Sequence, residues 1–467
     1  MYKALSVGVI ALLTFASATV ASSAAPAAVA AASTPAPVQV RHVFQIVLEN
    51  EEEPTSFPGT GSELDQLAAQ GVFIPRYFGT GHASLDNYIA MISGQAQFTS
   101  TSQDCPVYRD ASGTVDAKGF YVPVTPQDTG CVLPTAVKTL PDQLTAAHHT
   151  WRGYMEDMGN TPTRETSPCG QPALAGTAVD PTVGAPDQTE SATAADQYAA
   201  RHNPFVYFHT SIDGAGASPC AANVVPSTQL TSDLAGGTVA DWNFITPNLC
   251  NDGHDAPCKG PGAEGANPGA GGLVSANAFL AQVVPAIQAS TAYADGGLII
   301  VTFDEGSSNL SCCGESKFST GGGQVGAVLL GPALHAHVSS CRYNHFSLLR
   351  TWEDLFQLGT NTTGIAGSDR HGHLAHAGDR GVVPLTRELS ATTNPCAHRS
   401  PRRGGSRRPA CPEQDSNLCA PEGAGGFTPR AVVRGASAKS SECLCAGRLY
   451  SRVSAETCAI RLFARSS

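Results

Sequence analysis

Short runs of consecutive apolar residues recur along the chain, and they predict the strands of one central sheet. The runs are "HVFQIVLEN" (42–50), "PFVYF" (204–208), "WNFIT" (242–246), "GLIIVTF" (297–303) and "GAVLLG" (326–331). They do not alternate between apolar and polar residues. Strands that are buried on both faces typically show this continuous pattern.

Longer segments with helical spacing of apolar residues lie between these runs. They are "GSELDQLAAQG" (61–71), "SANAFLAQVVPAIQAS" (275–290) and "HFSLLRTWEDLFQL" (345–358), and another helix is predicted to begin at Ser84 within "GHASLDNYIAMISG" (81–94). Strands that alternate with helices indicate an α/β fold, in which helices sandwich a mainly parallel sheet. Three stretches rich in Gly, Pro and Thr, 105–135, 159–195 and 251–273, are predicted to be long loops.

The N-terminus predicts export. A single Lys precedes an apolar run from Ala4 to about Phe15, and Ala28-Val29-Ala30 offers a cleavage site of small residues. This pattern is typical of a signal peptide, which we place at 1–30, followed by a linker at 31–40. A membrane anchor is the alternative, but the apolar run is short for a bilayer span, and no later segment is long and apolar enough to form a stable transmembrane helix. We therefore expect a secreted protein, extracellular or associated with the cell envelope.

A change in charge divides the chain near its C-terminus. Of 28 Lys and Arg residues, 12 lie from Cys396 onward, with only 5 of the 39 Asp and Glu residues. That leaves 16 basic and 34 acidic residues before Cys396, so the body is near −18 and the tail near +7. We predict one folded domain over 41–390 and a disordered or non-native basic, Cys-containing tail over 391–467. A basic surface-binding arm is the alternative. The net charge of −11 argues against a nucleic-acid partner.

The chain contains fifteen cysteines, and the predicted export bears on their oxidation state. In an oxidising compartment most of them are expected to form disulfides, and their spacings do not match a zinc module. Pairing cannot be read from sequence in general. Cys105 with Cys131, and Cys250 with Cys258, are candidate pairs that would close short loops.

Acidic residues follow two of the predicted strands directly. Glu49 and Asn50 end the first strand, and Asp304 and Glu305 end "GLIIVTF". In α/β proteins the functional site lies at the carboxyl edge of the sheet, where these side chains would meet. Carboxylate and amide oxygens suit a hard cation, and a cation would offset the repulsion between adjacent acids. A capped or solvated loop is the alternative for each pair taken alone.

The segment "GHASLDNYIAMISG" places polar residues in the first turn of a helix that is otherwise apolar. A hydroxyl at Ser84 would lie in the positive field of the helix N-terminus, where free backbone N–H groups can receive a phosphate. A serine beside a metal ion loses its proton more easily and becomes a nucleophile. Asn87, one turn later, could donate to a phosphoryl oxygen. The alternative is that Ser84 is an ordinary N-cap.

Further polar residues follow the strand "WNFIT". The segment "PNLCNDGHDAPC" contains Asp252 and His254, which would suit a metal or phosphate site, although a polar turn is the alternative. His202 precedes the predicted strand "PFVYF", and His345 opens the last long helix. A single histidine is more often structural than catalytic, so neither residue carries weight alone.

Taken together, these segments resemble the bacterial phosphoesterase family. The motifs "VLEN", "GHASLDNYIAMISG", "YMEDM", "RHNPFVYF", "PNLCNDGHD", "IIVTFDEG" and "YNHFSLLRTWEDLFQL" occur in the order expected of that family, over about residues 41 to 360. The family comprises secreted acid phosphatases and phospholipases C with an alkaline-phosphatase-like fold. The resemblance is strongest to the mycobacterial secreted acid phosphatases that act on phosphoinositides.

The resemblance implies a role for each candidate residue. Glu49, Asn50, Asp304 and Glu305 become ligands of a divalent metal ion, with Ser84 as nucleophile. Ser84, Asn87, His202 and His345 form the catalytic set, and His202 or His345 protonates the leaving oxygen; both are expected to be largely protonated at mildly acidic pH. His82, Asp252 and His254 line the phosphate pocket, and some of the pocket residues could bind a second ion. The ion could be Ca, Mg, Mn, Zn or Fe.

The implied activity is hydrolysis of phosphate monoesters through a phosphoserine, as in an acid phosphatase. The substrate would be a phosphate ester, including a phosphoinositide or another lipid headgroup. A phospholipase C that cleaves diesters is the alternative within the family, and a non-catalytic cell-surface binding protein is the alternative of another class. Two features depart from the family pattern: Asp86 stands where relatives usually have Pro, and Cys-bearing inserts occur around 105–131 and 159–195.

Overall fold

A computed structural model describes residues 39–126, 130–165, 169–172, 185–214, 217–313, 321–358 and 382–389. The strands are β1 His42–Leu48, β2 Val72–Ile74, β3 Tyr77–Phe78, β4 Val107–Tyr108, β5 Gly113–Val115, β6 Tyr121–Pro123, β7 Trp151–Met155, β8 Ala185–Pro186, β9 Val224–Pro226, β10 Trp242–Thr246, β11 Gly297–Phe303, β12 Ala327–Leu330, β13 His337–Val338 and β14 Tyr343–Asn344. The signal peptide predicted at 1–30 and the tail predicted at 391–467 lie outside the described residues.

Helices lie between most of these strands. They are α1 Glu53–Ser56, α2 Glu63–Gln70, α3 Ser84–Ser93, α4 Leu140–Ala146, α5 His209–Ile212, α6 Pro219–Asn223, α7 Thr228–Gly236, α8 Gly272–Gln288, α9 Thr291–Ala294, α10 His345–Leu355 and α11 Thr386–Leu389. Short 3₁₀ helices span Thr101–Gln103, Ala200–His202 and Pro204–Tyr207. Within the described ranges, no helix is both long enough and apolar enough to cross a membrane.

One eight-stranded sheet organises the fold, in the order β13-β2-β12-β11-β1-β10-β7-β9. The pairings from β11 through β1, β10 and β7 to β9 are all parallel, and β12 is antiparallel to both of its neighbours. Strand β1 lies between β10 and β11, with Ile46 aligned to Ile245 and Val301. The mainly parallel α/β sandwich predicted from the sequence is therefore confirmed. The carboxyl ends of β11, β1 and β10 meet at one edge of the sheet.

Both faces of the central strands are covered, as the continuous apolar runs predicted. Every residue of β11 is buried, and β1 is buried from Val43 onward. Helices α3 and α10 pack against each other, as do α2 and α8. A buried Gln45 in β1 has its amide oxygen bound by the indole N–H of Trp352 on α10, at 2.9 Å. This bond ties α10 to the middle of the sheet.

The prediction of a strand at "PFVYF" is wrong. Pro204–Tyr207 forms a 3₁₀ helix, and His202, predicted to precede a strand, belongs to the 3₁₀ helix before it. All four residues of "PFVY" are buried, and the Phe205 ring stacks on Trp151 with 5.1 Å between centroids. A short apolar run indicates burial, and its periodicity alone cannot distinguish a strand from a buried helical turn.

Strand β7 escaped the pattern analysis because "WRGYM" is interrupted by Arg152 and Gly153. The glycine has a packing reason. A Cβ at Gly153 would lie 2.7 Å from a ring carbon of Phe205, so only glycine lets this ring pack on the strand. β7 lies beside β10 and runs parallel to it, so the residues that follow β7, Glu156 and Asp157, reach the same sheet edge.

Disulfides tie down the long loops. The two predicted pairs, Cys105–Cys131 and Cys250–Cys258, are both present. The structure adds Cys169–Cys220 and a bond between the adjacent residues Cys312 and Cys313. The loop regions 105–135 and 251–273 therefore carry covalent links close to the carboxyl edge of the sheet.

Candidate active site

The carboxylate of Glu49 lies at the centre of the site. It follows β1 and is fully buried. Its Oε2 accepts a hydrogen bond from the Ser84 hydroxyl at 2.8 Å, and its Oε1 accepts one from the Tyr88 hydroxyl at 2.6 Å. Burial, together with the nearby carboxylates of Asp304 and Asp252, holds the pKa of Glu49 well above its usual value. Its carboxylate is therefore a strong proton acceptor beside the serine, unless a cation neutralises it.

Ser84 is the first residue of α3, and Ala83 is the N-cap. The interpretation of Ser84 as an ordinary N-cap is therefore wrong. Its side chain is buried and its hydroxyl binds a carboxylate instead of a backbone N–H. The helix start also differs from the expectation of free amides, because the Leu85 N–H donates to Asp104 Oδ1 at 2.9 Å. Tyr88 lies one turn after Ser84, so that both hydroxyls reach the same carboxylate.

Asn87 has a fully buried side chain whose polar atoms are engaged locally. Its Oδ1 accepts from the Thr80 and Gly81 backbone N–H groups, at 2.7 and 3.1 Å. Its Nδ2 donates to the carbonyls of Gly81 and Ala83, both at 3.1 Å. In this arrangement the amide holds the loop that leads into α3, and no N–H of Asn87 remains for a phosphoryl oxygen.

The residues after β11 complete the acidic cluster. Asp304 Oδ1 accepts from the backbone N–H groups of Asn50 and Glu305, at 3.0 and 2.6 Å. Its Oδ2 is buried without a hydrogen-bond partner, as is Oε2 of Glu305. Burial raises the pKa of Asp304 to about 6. Burial and the nearby Asp304, Asp86 and Asp104 carboxylates raise the pKa of Glu305 to about 10.

Asn50 takes part through its backbone. It has a left-handed conformation, with φ of 55°, and its side chain is exposed. The left-handed turn directs its N–H toward Asp304. The structure therefore places Asn50 beside the predicted metal ligands, with its amide group at the rim.

His202 joins this cluster through a fixed tautomer. Its Nδ1 lies 3.1 Å from Asp252 Oδ2, so Nδ1 carries the proton that is donated to this carboxylate. Its Nε2 lies 3.3 Å from Glu49 Oε2 and makes no hydrogen bond. Burial, with contributions from Arg201 and His254, lowers the pKa of His202 well below its usual value. A neutral imidazole with an unshared lone pair on Nε2 is the form that binds a metal ion.

His345 supports Asp304 from behind. Its Nε2 donates to the Asp304 carbonyl, and its Nδ1 accepts from the Tyr77 hydroxyl at 3.1 Å. Burial lowers the pKa of His345 to about 4. The expectation that His202 and His345 are protonated at mildly acidic pH is therefore not supported, because burial keeps both rings neutral there.

His254 and Arg201 lie beside this cluster. His254 Nδ1 is 2.9 Å from Asp255 Oδ1, and its Nε2 is 3.3 Å from Arg201 Nη2. Nδ1 therefore carries the proton, and Nε2 accepts from the guanidinium. The His254 backbone N–H donates to Asp252 Oδ1 at 2.8 Å, which links both residues to the ligand cluster.

His82 lies at the opening of the site. Its side chain is 30% exposed, its Nδ1 lies 3.8 Å from Glu305 Oε2, and its Nε2 lies 2.9 Å from Asn309 Oδ1. Asp86, the residue that departs from the family pattern, is buried with neither carboxylate oxygen bonded, close against Gly81. Burial and the carboxylates of Asp104 and Asp304 raise its pKa well above the usual value.

The donor atoms fit a divalent cation. Ligand atoms of Glu49, His202 and Asp252 all lie within 4.8 Å of one another. The orphaned oxygens of Asp304 and Glu305 lie at the same sheet edge. A cation would offset the burial cost that raises these carboxylate pKa values, together with the repulsion that adds to it at Glu49 and Glu305. Oxygen donors suit Mg, Mn or Ca, and the imidazole of His202 extends the range to Zn or Fe.

Pattern reasoning missed four residues that the structure brings to the site. Tyr88 could have been found from its helical spacing to Ser84. The others are Asp104, Arg201 and Glu156. Arg201 carried only the weak signal of standing beside His202, and Glu156 carried only that of lying in the segment "YMEDM". Nothing in the sequence indicated that Asp104 would reach α3.

Comparison with known proteins identifies relatives of this arrangement. The chain is 26% identical to a phosphatidylinositol-3-phosphatase of Mycobacterium tuberculosis over 330 residues, 70% of this chain and 79% of that protein. It is 24% identical to a phosphate-repressible acid phosphatase of Penicillium chrysogenum over 262 residues, 56% of this chain. That match spans 47% of the fungal protein, and a match to an acid phosphatase of Aspergillus fumigatus spans 37% of its length.

A solved structure from Vibrio parahaemolyticus, described as a protein in the alkaline phosphatase superfamily, is 12% identical, with a TM-score of 0.38. The similarity covers 75% of this chain and 72% of that one. The sequence pattern of the Phosphoesterase family matches residues 60–359, which is more than half of the chain and includes every candidate site residue except Glu49 and Asn50. The chain therefore belongs to the Phosphoesterase family.

Proposed function

We propose that the protein is a divalent-metal-dependent acid phosphatase that hydrolyses phosphate monoesters through a phosphoserine at Ser84. The observation that carries the proposal is the 2.8 Å hydrogen bond from Ser84 Oγ to the buried Glu49 carboxylate. This contact places the Ser84 hydroxyl at a helix start and beside a carboxylate that would hold the cation, a setting in which a serine can act as a nucleophile. The family relatives described as acid phosphatases support the same reaction class.

The reaction would proceed in two steps, both at Ser84. Ser84 Oγ attacks phosphorus while its proton passes to a water molecule, and the bond from phosphorus to the leaving oxygen breaks. Water then attacks phosphorus, the bond to Ser84 Oγ breaks, and Ser84 regains a proton as inorganic phosphate leaves. Glu49, Asp304, Glu305, His202 and Asp252 would hold the cation, which supplies positive charge for the phosphoryl oxygens.

His82 is better placed than the buried histidines to protonate the leaving oxygen. It is partly exposed and lies beside Glu305, whereas His202 and His345 use their ring protons on Asp252 and on the Asp304 carbonyl. We therefore assign the proton donor to His82, and assign His345 and Asn87 to positioning the groups around them.

We further propose that the protein is secreted and that its substrates include lipid phosphates. A phosphoinositide belongs among the substrates to test, because one relative is described as a phosphatidylinositol-3-phosphatase. Secretion is supported by the disulfides, which persist in oxidising compartments.

The test is hydrolysis of p-nitrophenyl phosphate by the purified protein, with and without a chelator, beside bis(p-nitrophenyl) phosphate as the diester. We expect activity on the monoester, loss with the chelator and recovery with added Mn²⁺. Ser84→Ala should lower kcat by about 10⁴-fold or more, because no neighbouring group replaces the nucleophile.

Substrate quenched in acid should leave phosphate on the peptide that contains Ser84. Near-normal turnover by Ser84→Ala would show that water or another residue attacks phosphorus. Preference for the diester would favour a phospholipase C activity.

A further inference from the structure

The loop that carries Asp252 and His254 is held in place by a carboxylate that lies outside the Glu49, His202 and Asp252 cluster. Glu156 follows β7, and its Oε2 accepts from the Asn248 backbone N–H at 2.9 Å. Its Oε1 accepts from the Asn251 side-chain N–H, also at 2.9 Å. Asn251 is the residue directly before Asp252. Glu156 therefore holds the start of the loop and the residue next to a candidate ligand.

Hydrogen bonds on both sides hold the Asn251 side chain in one orientation. Its Nδ2 donates to Glu156, and its Oδ1 accepts from the Ala263 backbone N–H at 2.8 Å. Its own N–H donates to Asn248 Oδ1 at 2.9 Å. The side chain is buried, so water cannot replace these partners at low cost. Rotation or displacement of Asn251 would break bonds on both sides of the loop.

Asp252 connects the same loop to the ligand cluster on the other side. Its carbonyl accepts from the Glu49 backbone N–H at 2.9 Å, and its Oδ2 accepts from His202 Nδ1. A movement of the loop therefore changes the distances among Glu49, His202 and Asp252, the three residues whose ligand atoms lie within 4.8 Å.

We propose that the Glu156–Asn251 hydrogen bond is a positioning element that sets the divalent-cation affinity of the Glu49, His202 and Asp252 cluster. This inference rests on the proposed metal dependence. Glu156 does not belong to the cluster, and it acts through Asn251 on Asp252. Partners of this kind, one step removed from the ligands, typically change metal affinity by 10- to 100-fold when altered.

The geometry provides a swap experiment. Glu156→Gln would keep an acceptor for the Asn248 N–H but would turn an amide N–H toward the Asn251 N–H, so that two donors face each other. Asn251→Asp alone would set two carboxylates against each other. In the double variant Glu156→Gln/Asn251→Asp, the glutamine N–H can donate to the new carboxylate, and the Ala263 contact remains. The double variant also keeps the net charge of the native protein.

The measurement is Mn²⁺ binding to chelator-treated full-length protein by titration calorimetry, with a metal-free thermal melt for each variant. We expect each single variant to bind Mn²⁺ about 10- to 100-fold more weakly, and the double variant to return to within about threefold of the native affinity. Asp233→Asn is the matched control. Asp233 is a buried carboxylate on α7 that accepts a hydrogen bond from the hydroxyl of Tyr154, on β7, at 2.8 Å. Its replacement should lower the melting temperature without changing the Mn²⁺ affinity.

The proposal is overturned if Glu156→Gln binds Mn²⁺ as tightly as the native protein, or if the folded double variant stays as weak as the single ones. If Glu156→Gln does not fold, the Mn²⁺ affinity of Glu156→Asp tests the proposal instead. This variant keeps the charge but shortens the reach, so native affinity there would also overturn the proposal. Because affinity is measured without substrate, the outcome is separate from whether Ser84 is the nucleophile. Phosphatase failure with intact swap behaviour would reject only the proposed reaction.

Discussion

At the scale of single residues, the site separates groups that can reach a substrate from groups that hold them. Ser84 and His82 belong to the first kind. His345 and Asn87 have every polar atom engaged by the protein, and both are fully buried. The hydrogen-bond inventory of a buried side chain thus decides between a catalytic and a supporting role more clearly than its residue type does.

His82→Ala should have an effect that depends on the leaving group. An alkyl phosphate needs a proton on its departing oxygen, whereas p-nitrophenolate leaves readily without one. We expect kcat/KM to fall by about 10²-fold or more for the alkyl ester and by less than about 10-fold for p-nitrophenyl phosphate. The measurement is the ratio of the two values in each variant.

His209→Ala serves as the control for this prediction, because the His209 ring binds only the exposed Asp110 and Asp213 among the contacts described. Equal losses on both esters in His82→Ala would mean that His82 binds substrate or orients Glu305 and does not donate the proton.

Asn87→Ala tests the supporting role. Loss of its amide leaves the buried N–H groups of Thr80 and Gly81 without an acceptor, which should cost about 1–3 kcal/mol of unfolding free energy. Thermal melts and kcat should fall together. Asn87→Asp keeps the acceptor but sets a buried oxygen against the carbonyls of Gly81 and Ala83, so it should also lower the melting temperature. A kcat loss with an unchanged melting temperature would instead restore Asn87 as a donor to phosphate.

At the scale of elements, apolar runs were reliable guides to the long central strands and poor guides to short buried turns. "WNFIT" and "GLIIVTF" form strands over the predicted residues, since both faces are covered and every position must be apolar. "PFVYF" is as apolar but forms a 3₁₀ helix, whereas the strand β7 contains Arg152 and Gly153. The difference lies in contacts from distant residues, such as the Phe205 ring on Gly153, which local sequence does not encode.

The same distinction separates the predictable part of the site from the rest. Glu49 and Asp304 follow strands directly, and Asp252 lies in the loop after β10, so sheet topology predicts that they meet. Asp104 reaches α3 only because its loop folds back and is closed by the Cys105–Cys131 disulfide next to it. The protonation states also depend on burial, which reversed the expectation for His202 and His345.

At the scale of the whole molecule, the buried carboxylates of the site make the stability of the folded protein depend on pH. Burial raises the pKa of Asp304 to about 6, of Glu156 to about 7 and of Glu305 to about 10, above the values of about 4 expected in the unfolded chain. The folded state therefore holds more protons than the unfolded state between these values. Stability must fall as pH rises through this window.

We expect the metal-free protein to melt several degrees lower at pH 8 than at pH 5, measured by thermal denaturation in a chelator. Saturating Mn²⁺ should raise the melting temperature most at the higher pH, because the ion binds the ionised carboxylates. Glu305→Gln should flatten the metal-free profile, since it removes a carboxylate that must ionise at high cost. A metal-free melting temperature that rises from pH 5 to pH 8 would contradict this account.

The position of β1 in the sheet governs when the site can come into existence. Its two neighbours, β10 and β11, begin about 200 and 255 residues later in the chain, as the pairs Val43–Trp242 and His42–Gly297 show. Contacts between such distant segments form slowly, because a long loop must close before they yield any stabilisation. Glu49 is made early in synthesis, yet it cannot meet Asp252 and Asp304 together until the ribosome has passed residue 304. A chain that has been synthesised only as far as β10 therefore cannot assemble the site, because β11 and Asp304 are still missing.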